Sequence, residues 1–267
     1  MRNLIVEFRR MFFEKKIIWF IGVTIIYVTV CSTFFNLRFK LDYDYEEIHY
    51  KMSAFKLWQD NMCKSFMVVL MQIVPPMIYV FSFMDDRENG IDNQICIRNN
   101  SNIYYIAKYI TVIFSGMIYN FFSVLLIYFP LYFTLSVGGD DWNYLDRNNA
   151  LVGNFFTGNT AMEFVLIVAM CYACVGGVCA GMGYVISMWI DNRVLVCILP
   201  YIILKILKGV LFNASAATAL FRIIAGDVDI YMTDQPFYYS VYHFMWWFFL
   251  LSILFTISYI LRIEKKR

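Results

Sequence analysis

Charge is what this sequence has least of. Only 16% of its 267 residues are Asp, Glu, Lys or Arg, against 61% hydrophobic and 19% aromatic. A water-soluble domain needs about a quarter of its residues charged to cover its surface. The shortfall argues against an ordinary soluble globule and implies that lipid faces much of the outside. Histidine is nearly missing: His49 and His243 are the whole supply, too few for a zinc centre without carboxylate help. His243 stands among Tyr242, Phe244, Trp246 and Trp247 and reads as part of an interfacial aromatic belt. The patterns Gly-x-x-x-x-Gly-Lys-Ser/Thr, His-Glu-x-x-His and Gly-x-Ser-x-Gly are all absent. With them go a phosphate loop, a metalloprotease helix and a hydrolase nucleophile elbow. Catalysis by this chain alone is therefore not expected, and neither a metal nor a cofactor held by it. A net charge of +2, with no basic run interleaved with aromatics outside the termini, leaves nucleic acid no footprint.

What the chain has instead is long apolar runs. About 20 apolar residues in a helix cross roughly 30 Å of hydrocarbon. Six stretches qualify or nearly so: Ile17–Leu37, Cys63–Met84, Lys108–Phe133, Ala161–Trp189, Val194–Phe212 and Tyr239–Leu261. Pro75-Pro76 and Pro200 fall inside two of them, where kinks are tolerated if neighbouring helices satisfy the freed backbone. The first run starts only at Ile17, reaches spanning length and is followed by no small-residue cleavage site, so it reads as a retained span. The fold class expected is an all-α membrane protein of six transmembrane helices.

Orientation follows from lysine and arginine in the short flanking segments. Arg2, Arg9, Arg10, Lys15 and Lys16 precede the first span, and Arg262, Lys265, Lys266 and Arg267 follow the last. An even number of spans puts both basic ends on one side, the cytoplasm. The localisation expected is the cell membrane, multi-pass, with both termini cytoplasmic. Residues 1–16 then form an interfacial helix, 17–261 the transmembrane domain and 262–267 a basic tail. Outer loops fall at 38–62, 134–160 and 213–238, and an inner loop at 85–107. The outer loops carry helical spacing at Ile48, Met52, Phe55 and Met62, and a short apolar stretch from Ala214 to Ile224. These predict short outer surface or re-entrant helices.

In the first segment Leu4, Phe8, Met11 and Phe12 share one helical face, and Asn3, Glu7, Arg10 and Glu14 the other. That amphipathic pattern suits a helix lying in the inner headgroup layer, with Phe8 and Phe12 in lipid and Arg10 near anionic headgroups. A short solvated lead-in is the plainer alternative. The fourth run is rich in small residues, and Gly177-x-x-x-Gly181 has the spacing that lets helix backbones touch, within the bundle or across a dimer. Lys205 and Lys208 share a face of the fifth span. They either snorkel to the outer headgroups or line a path for anionic cargo. Cysteines number seven. Most sit in apolar runs as small hydrophobes, Cys171-Tyr-Ala-Cys174 among them, and a bridge between Cys31 and Cys63 is an open possibility.

The inner loop is the most informative polar stretch. Glu88 and Gly90 precede a short helical pattern in which Ile91 and Ile95 lie one turn apart, with Arg98 beyond. Asn99-Asn100-Ser101-Asn102 then interrupts the chain and offers a cap for the next helix. A short amphipathic helix here can dock into a groove on a soluble partner; the alternative is a solvated connector of ordinary length.

This layout resembles the membrane subunit of a type-2 ABC exporter over nearly the whole chain. In that class an interfacial N-terminal helix precedes six spans, and a coupling helix lies between the second and third. The class pattern of an acid, one residue, a helix-opening Gly and a Lys at the start of the third span is matched in order by Glu88, Gly90 and Lys108. The usual Pro-x-Ser/Thr-Arg turn is replaced by Asn99-Asn100-Ser101-Asn102. The resemblance implies a permease half that pairs with a second permease subunit, identical or related. It also implies separate ATP-binding cassette subunits, which hold ATP and Mg and dock near Glu88–Arg98 and the N-terminal helix. Outward movement of a peptide, drug or lipid-like cargo would follow. The rival is a non-transporting six-span immunity or sensor protein that binds a peptide at its outer loops.

Overall fold

The computed structural model describes residues 2–13, 66–91, 101–134, 161–211 and 236–266, with single positions at 19, 22–24, 26, 58 and 94. These residues form α-helices and short turns, with no strand among them. The helices are α1 (Arg2–Phe13), α2 (Phe66–Glu88), α3 (Ser101–Thr134), α4 (Ala161–Ser187), α5 (Arg193–Leu211) and α6 (Pro236–Lys266). Two of them, α3 over Asn102–Phe133 and α4 over Val168–Ser187, are long and apolar enough to cross a membrane. A shorter apolar stretch, Met245–Leu261, lies in α6. Helix ends and apolar ends differ. α3 begins at Ser101, ahead of Lys108, and α6 runs through the basic tail to Lys266. Hydropathy marks where lipid would suit the side chains, whereas the backbone ladder can continue into polar residues.

α4 is the centre of the bundle and packs against α2, α3, α5 and α6. It can do so because Ala169, Ala173, Gly176, Ala180, Gly181 and Gly183 keep its surface slim, and all of them are buried. The tightest approach is between Gly176 and Gly116 of α3, where a β-carbon on either would run into the other's carbonyl. Gly181 sits against α6 and α3: a β-carbon there would come 3.2 Å from Leu251 Cδ1 and 3.3 Å from Ile113 Cγ1. α6 is held to α3 and α4 by aromatic contacts, Tyr109 stacking on Phe255 with centroids 4.8 Å apart and Tyr184 lying 6.0 Å from the same ring. The opposite face of α6 exposes Met245, Phe249, Ile253, Ile257 and Ile260. A continuous apolar face of that length is unusual on a water-soluble monomer.

Prolines in α2 create a backbone problem that the fold answers with a side chain. Pro75 has no N–H for the carbonyl of Met71, four residues earlier. Asn120 of α3 donates from Nδ2 to Met71 O at 3.0 Å, and also to Tyr172 O of α4 at 2.9 Å. One buried amide thus joins three helices. Asn120→Ala should cost about 1–3 kcal/mol for the acceptor left unsatisfied. In a Pro75→Ala background the restored N–H should remove much of that cost. Thermal unfolding of the four proteins of this double-mutant cycle checks it.

Candidate functional site

The site is built at the end of the bundle where α2 stops and α3 begins. Lys108, at the head of the apolar run Lys108–Phe133 in α3, is wholly buried. An ammonium there requires counter-charge and three acceptors. It finds Asp86 Oδ2 at 2.8 Å, Glu7 Oε2 at 3.0 Å and Ser82 Oγ at 3.0 Å. Its Nζ also lies 4.9 Å from the centre of the Tyr79 ring, a cation–π distance. Asp86 is equally buried and accepts four bonds: two from the Arg10 guanidinium at 3.0 and 2.8 Å, one from Lys108 and one from Tyr104 Oη at 2.9 Å. Tyr79 Oη donates to Glu7 Oε2 at 2.7 Å. Two acids and two bases from three helices therefore neutralise one another, with Asp86, Glu7 and Lys108 buried and Arg10 half-buried at the edge.

Burial alone would push the Asp86 carboxyl up. The hydrogen bonds and charges of Arg10 and Lys108 outweigh it and hold the group below the ordinary carboxylate range. Tyr104 Oη is the donor in its bond to Asp86, since a carboxylate can only accept. Arg10, although burial works against its charge, is held protonated by Asp86.

The last turn of α2 has a second side. Arg193, at the start of α5, reaches both Asp85 Oδ1 and Glu88 Oε2 at 2.8 Å. Arg87 donates to the carbonyl of Ser187 at 2.8 Å and pairs with Asp191. The turn between α4 and α5 is set by Asn192, whose Oδ1 caps the N–H groups of Val194 at 2.9 Å and Leu195 at 3.3 Å. Beyond Glu88 the chain turns at Gly90, whose φ of 68° lies in the left-handed region. Gly90 N–H returns to Arg87 O, and Gln94 N–H bonds to Gly90 O at 3.3 Å, so one helical turn closes and another opens at this glycine.

The residues singled out in the sequence fall as follows. Glu88 and Gly90 form this turn, and Ile91 follows half-buried. Ile95 and Arg98 lie outside the described residues, as do His49, Cys31 and Cys63. So do the outer loops over 135–160 and 213–235, and 38–62 apart from Trp58. Phe8 packs edge-on against Phe114 with centroids 5.7 Å apart; the Phe12, His243 and Lys208 side chains lie outside the described ones. Lys205 is exposed, 5.7 Å from the centre of the Tyr201 ring. Gly177 and Gly181 are buried within α4. Cys171 is buried and Cys174 half-buried within α4.

The facing of α1 differs from the sequence expectation. Glu7 and Arg10 turn into the bundle rather than outward to headgroups, while Ile5 and Val6 are exposed. The cause is Lys108, which draws Glu7 inward. Sequence reasoning missed Glu7, Asp86, Tyr79 and Arg193 as partners. The available signal was Lys108 itself, a cation in an apolar run that needs acids from elsewhere. Among the described residues no group of three His, Cys, Asp or Glu could hold a metal ion. The quartet is a clasp, with each charge committed to a partner. No family profile, curated protein or solved structure matches this chain.

Proposed function

We propose that this chain is the permease subunit of an ATP-driven exporter of the type-2 ABC class. In this reading six helices cross the cell membrane, both ends are cytoplasmic, and the α2–α3 end of the bundle faces the cytosol. The observation that carries it is the turn at Glu88–Gly90. The 23-residue helix α2 stops there, a glycine at positive φ starts a new helical turn, and Asp85 and Glu88 pair with Arg193 at the start of α5. A docking element for a motor subunit needs that construction, since a loose connector would absorb the push instead of passing it on. Lys108 fits the same reading, because it ties the N-terminal helix to the base of α3. ATP and Mg belong to the separate ATP-binding subunits, and this chain supplies the pathway with a second permease subunit. It performs no catalysis itself.

Co-purification from native membranes is the first test. A stoichiometric ATP-binding partner is expected, and its consistent absence favours the non-transporting immunity or sensor alternative. The second test is Glu88→Lys combined with Gly90→Val, which reverses the charge at the turn and strains its left-handed residue. The double variant should insert normally yet lose most stimulation of the partner's ATPase by cargo. Stimulation equal to the unsubstituted protein would exclude this turn as the coupling element.

A further inference from the structure

The last turn of α2, Asp85-Asp86-Arg87-Glu88, points charges in two directions at once. Asp86 turns to α1 and α3, through Arg10, Lys108 and Tyr104. Asp85, Arg87 and Glu88 turn to the α4–α5 junction, through Arg193, the Ser187 carbonyl and Asp191. Packing reinforces the second set: Phe83 lies edge-on to Tyr184 with centroids 4.9 Å apart, and the Arg193 guanidinium is 5.9 Å from the centre of the Phe81 ring. One helical turn therefore touches the ends of α1, α3, α4 and α5.

Deeper in the bundle the same helices are interrupted at a common level. Pro76 of α2 and Pro200 of α5 supply no N–H to the carbonyls four residues before them. Both interruptions meet α4 at Gly183. A β-carbon there would lie 2.8 Å from Pro76 Cβ and 3.4 Å from the carbonyl oxygen of Val196, the acceptor that Pro200 cannot serve. Glycine at that point also weakens α4 itself. Stiff ends thus adjoin a level at which α2, α4 and α5 bend most easily.

We infer that the last turn of α2 is a mechanical hub, and that Arg193 is the positioning residue that keeps the α4–α5 end in step with the Glu88–Gly90 turn. A displacement of that turn carries the ends of α1, α3, α4 and α5 with it, and bending is taken up at Pro76, Gly183 and Pro200. The hub is a property of this chain alone; that an ATP-binding partner drives it rests on the transporter reading.

The test uses the full chain in lipid nanodiscs, with spin labels at Asn89 and the exposed Val194 introduced through bioorthogonal residues so that native thiols stay in place. The unsubstituted protein gives a single narrow distance. Arg193→Gln loses it, and Arg193→Lys, which keeps the charge, recovers it in part. Glu88→Gln leaves Asp85 on Arg193 and gives an intermediate width, which keeps the test decisive if Arg193→Gln does not fold. A broad distribution in the unsubstituted protein, or an Arg193→Gln trace indistinguishable from it, overturns the inference. No partner is needed for this measurement. Narrow distances that broaden in Arg193→Gln, in a protein that co-purifies with no ATPase, retain the hub and discard the transporter reading.

Discussion

Replacing Lys108 with methionine is expected to lower the stability of the folded chain by about 3–5 kcal/mol, the usual cost of stripping one partner from a buried ion pair. The methionine fills the space, so the loss is electrostatic. Asp86 and Glu7 are left in the interior, with Arg10 still paired to Asp86. Glu7→Gln in the same protein should recover part of the loss, because it restores the balance of one acid and one base. Thermal unfolding of the purified protein in detergent reads both numbers. A Lys108→Met protein as stable as its parent would mean that the clasp does not hold α1.

Acid should open the same clasp, and the sign follows from Asp86. Its carboxyl titrates below its ordinary value of 3.8 in the folded chain. Its contribution is therefore fully present above that value and is lost as pH falls through the lower, folded one. Stability should drop below pH ~4, and Asp86→Asn should flatten that part of the curve at the price of lower stability near neutrality.

The second large effect is steric. Gly176→Leu should prevent α3 and α4 from reaching their native separation. A β-carbon at Gly176 already strikes the Gly116 carbonyl and comes 2.7 Å from Asn120 Nδ2, and backbone cannot retreat as a flexible side chain can. Overpacking of a tight core costs about 1–3 kcal/mol for a small excess, and leucine adds three further carbons. The displaced Asn120 would also release Met71 and Tyr172. Loss of folded protein on size-exclusion chromatography is expected for Gly176→Leu, with Gly176→Ala milder. Gly22, with nothing among the described residues within 4 Å of an added β-carbon, is the control at which alanine should change little.

How much of this could be read from the residues depends on the range of the interaction. The apolar runs that predict α2 to α6 are local, and so is the turn at Glu88–Gly90, because a glycine after an acidic helix end is itself a backbone instruction. The slim surface of α4 was also visible, although the glycine in closest backbone contact is Gly176, one position before the Gly177–Gly181 pair singled out by spacing. The clasp was not legible. Periodicity grouped Glu7 with Arg10 correctly, but which way that face turns is decided by Lys108, 101 residues away. The same holds for Asn120, whose role appears only once Pro75 is known to lie beside it.

That sequence distance has a consequence for how the protein is made. Glu7 leaves the ribosome 101 residues before Lys108, which at bacterial or eukaryotic elongation rates is on the order of 5–20 s. During that interval the N-terminal helix has no cation from the third helix to hold it, and its exposed Ile5 and Val6 can rest on lipid. Closure of the clasp marks the moment at which the third helix has arrived. A nascent chain stalled before Lys108 should therefore leave its N-terminal helix open to protease, and one stalled well after it should not.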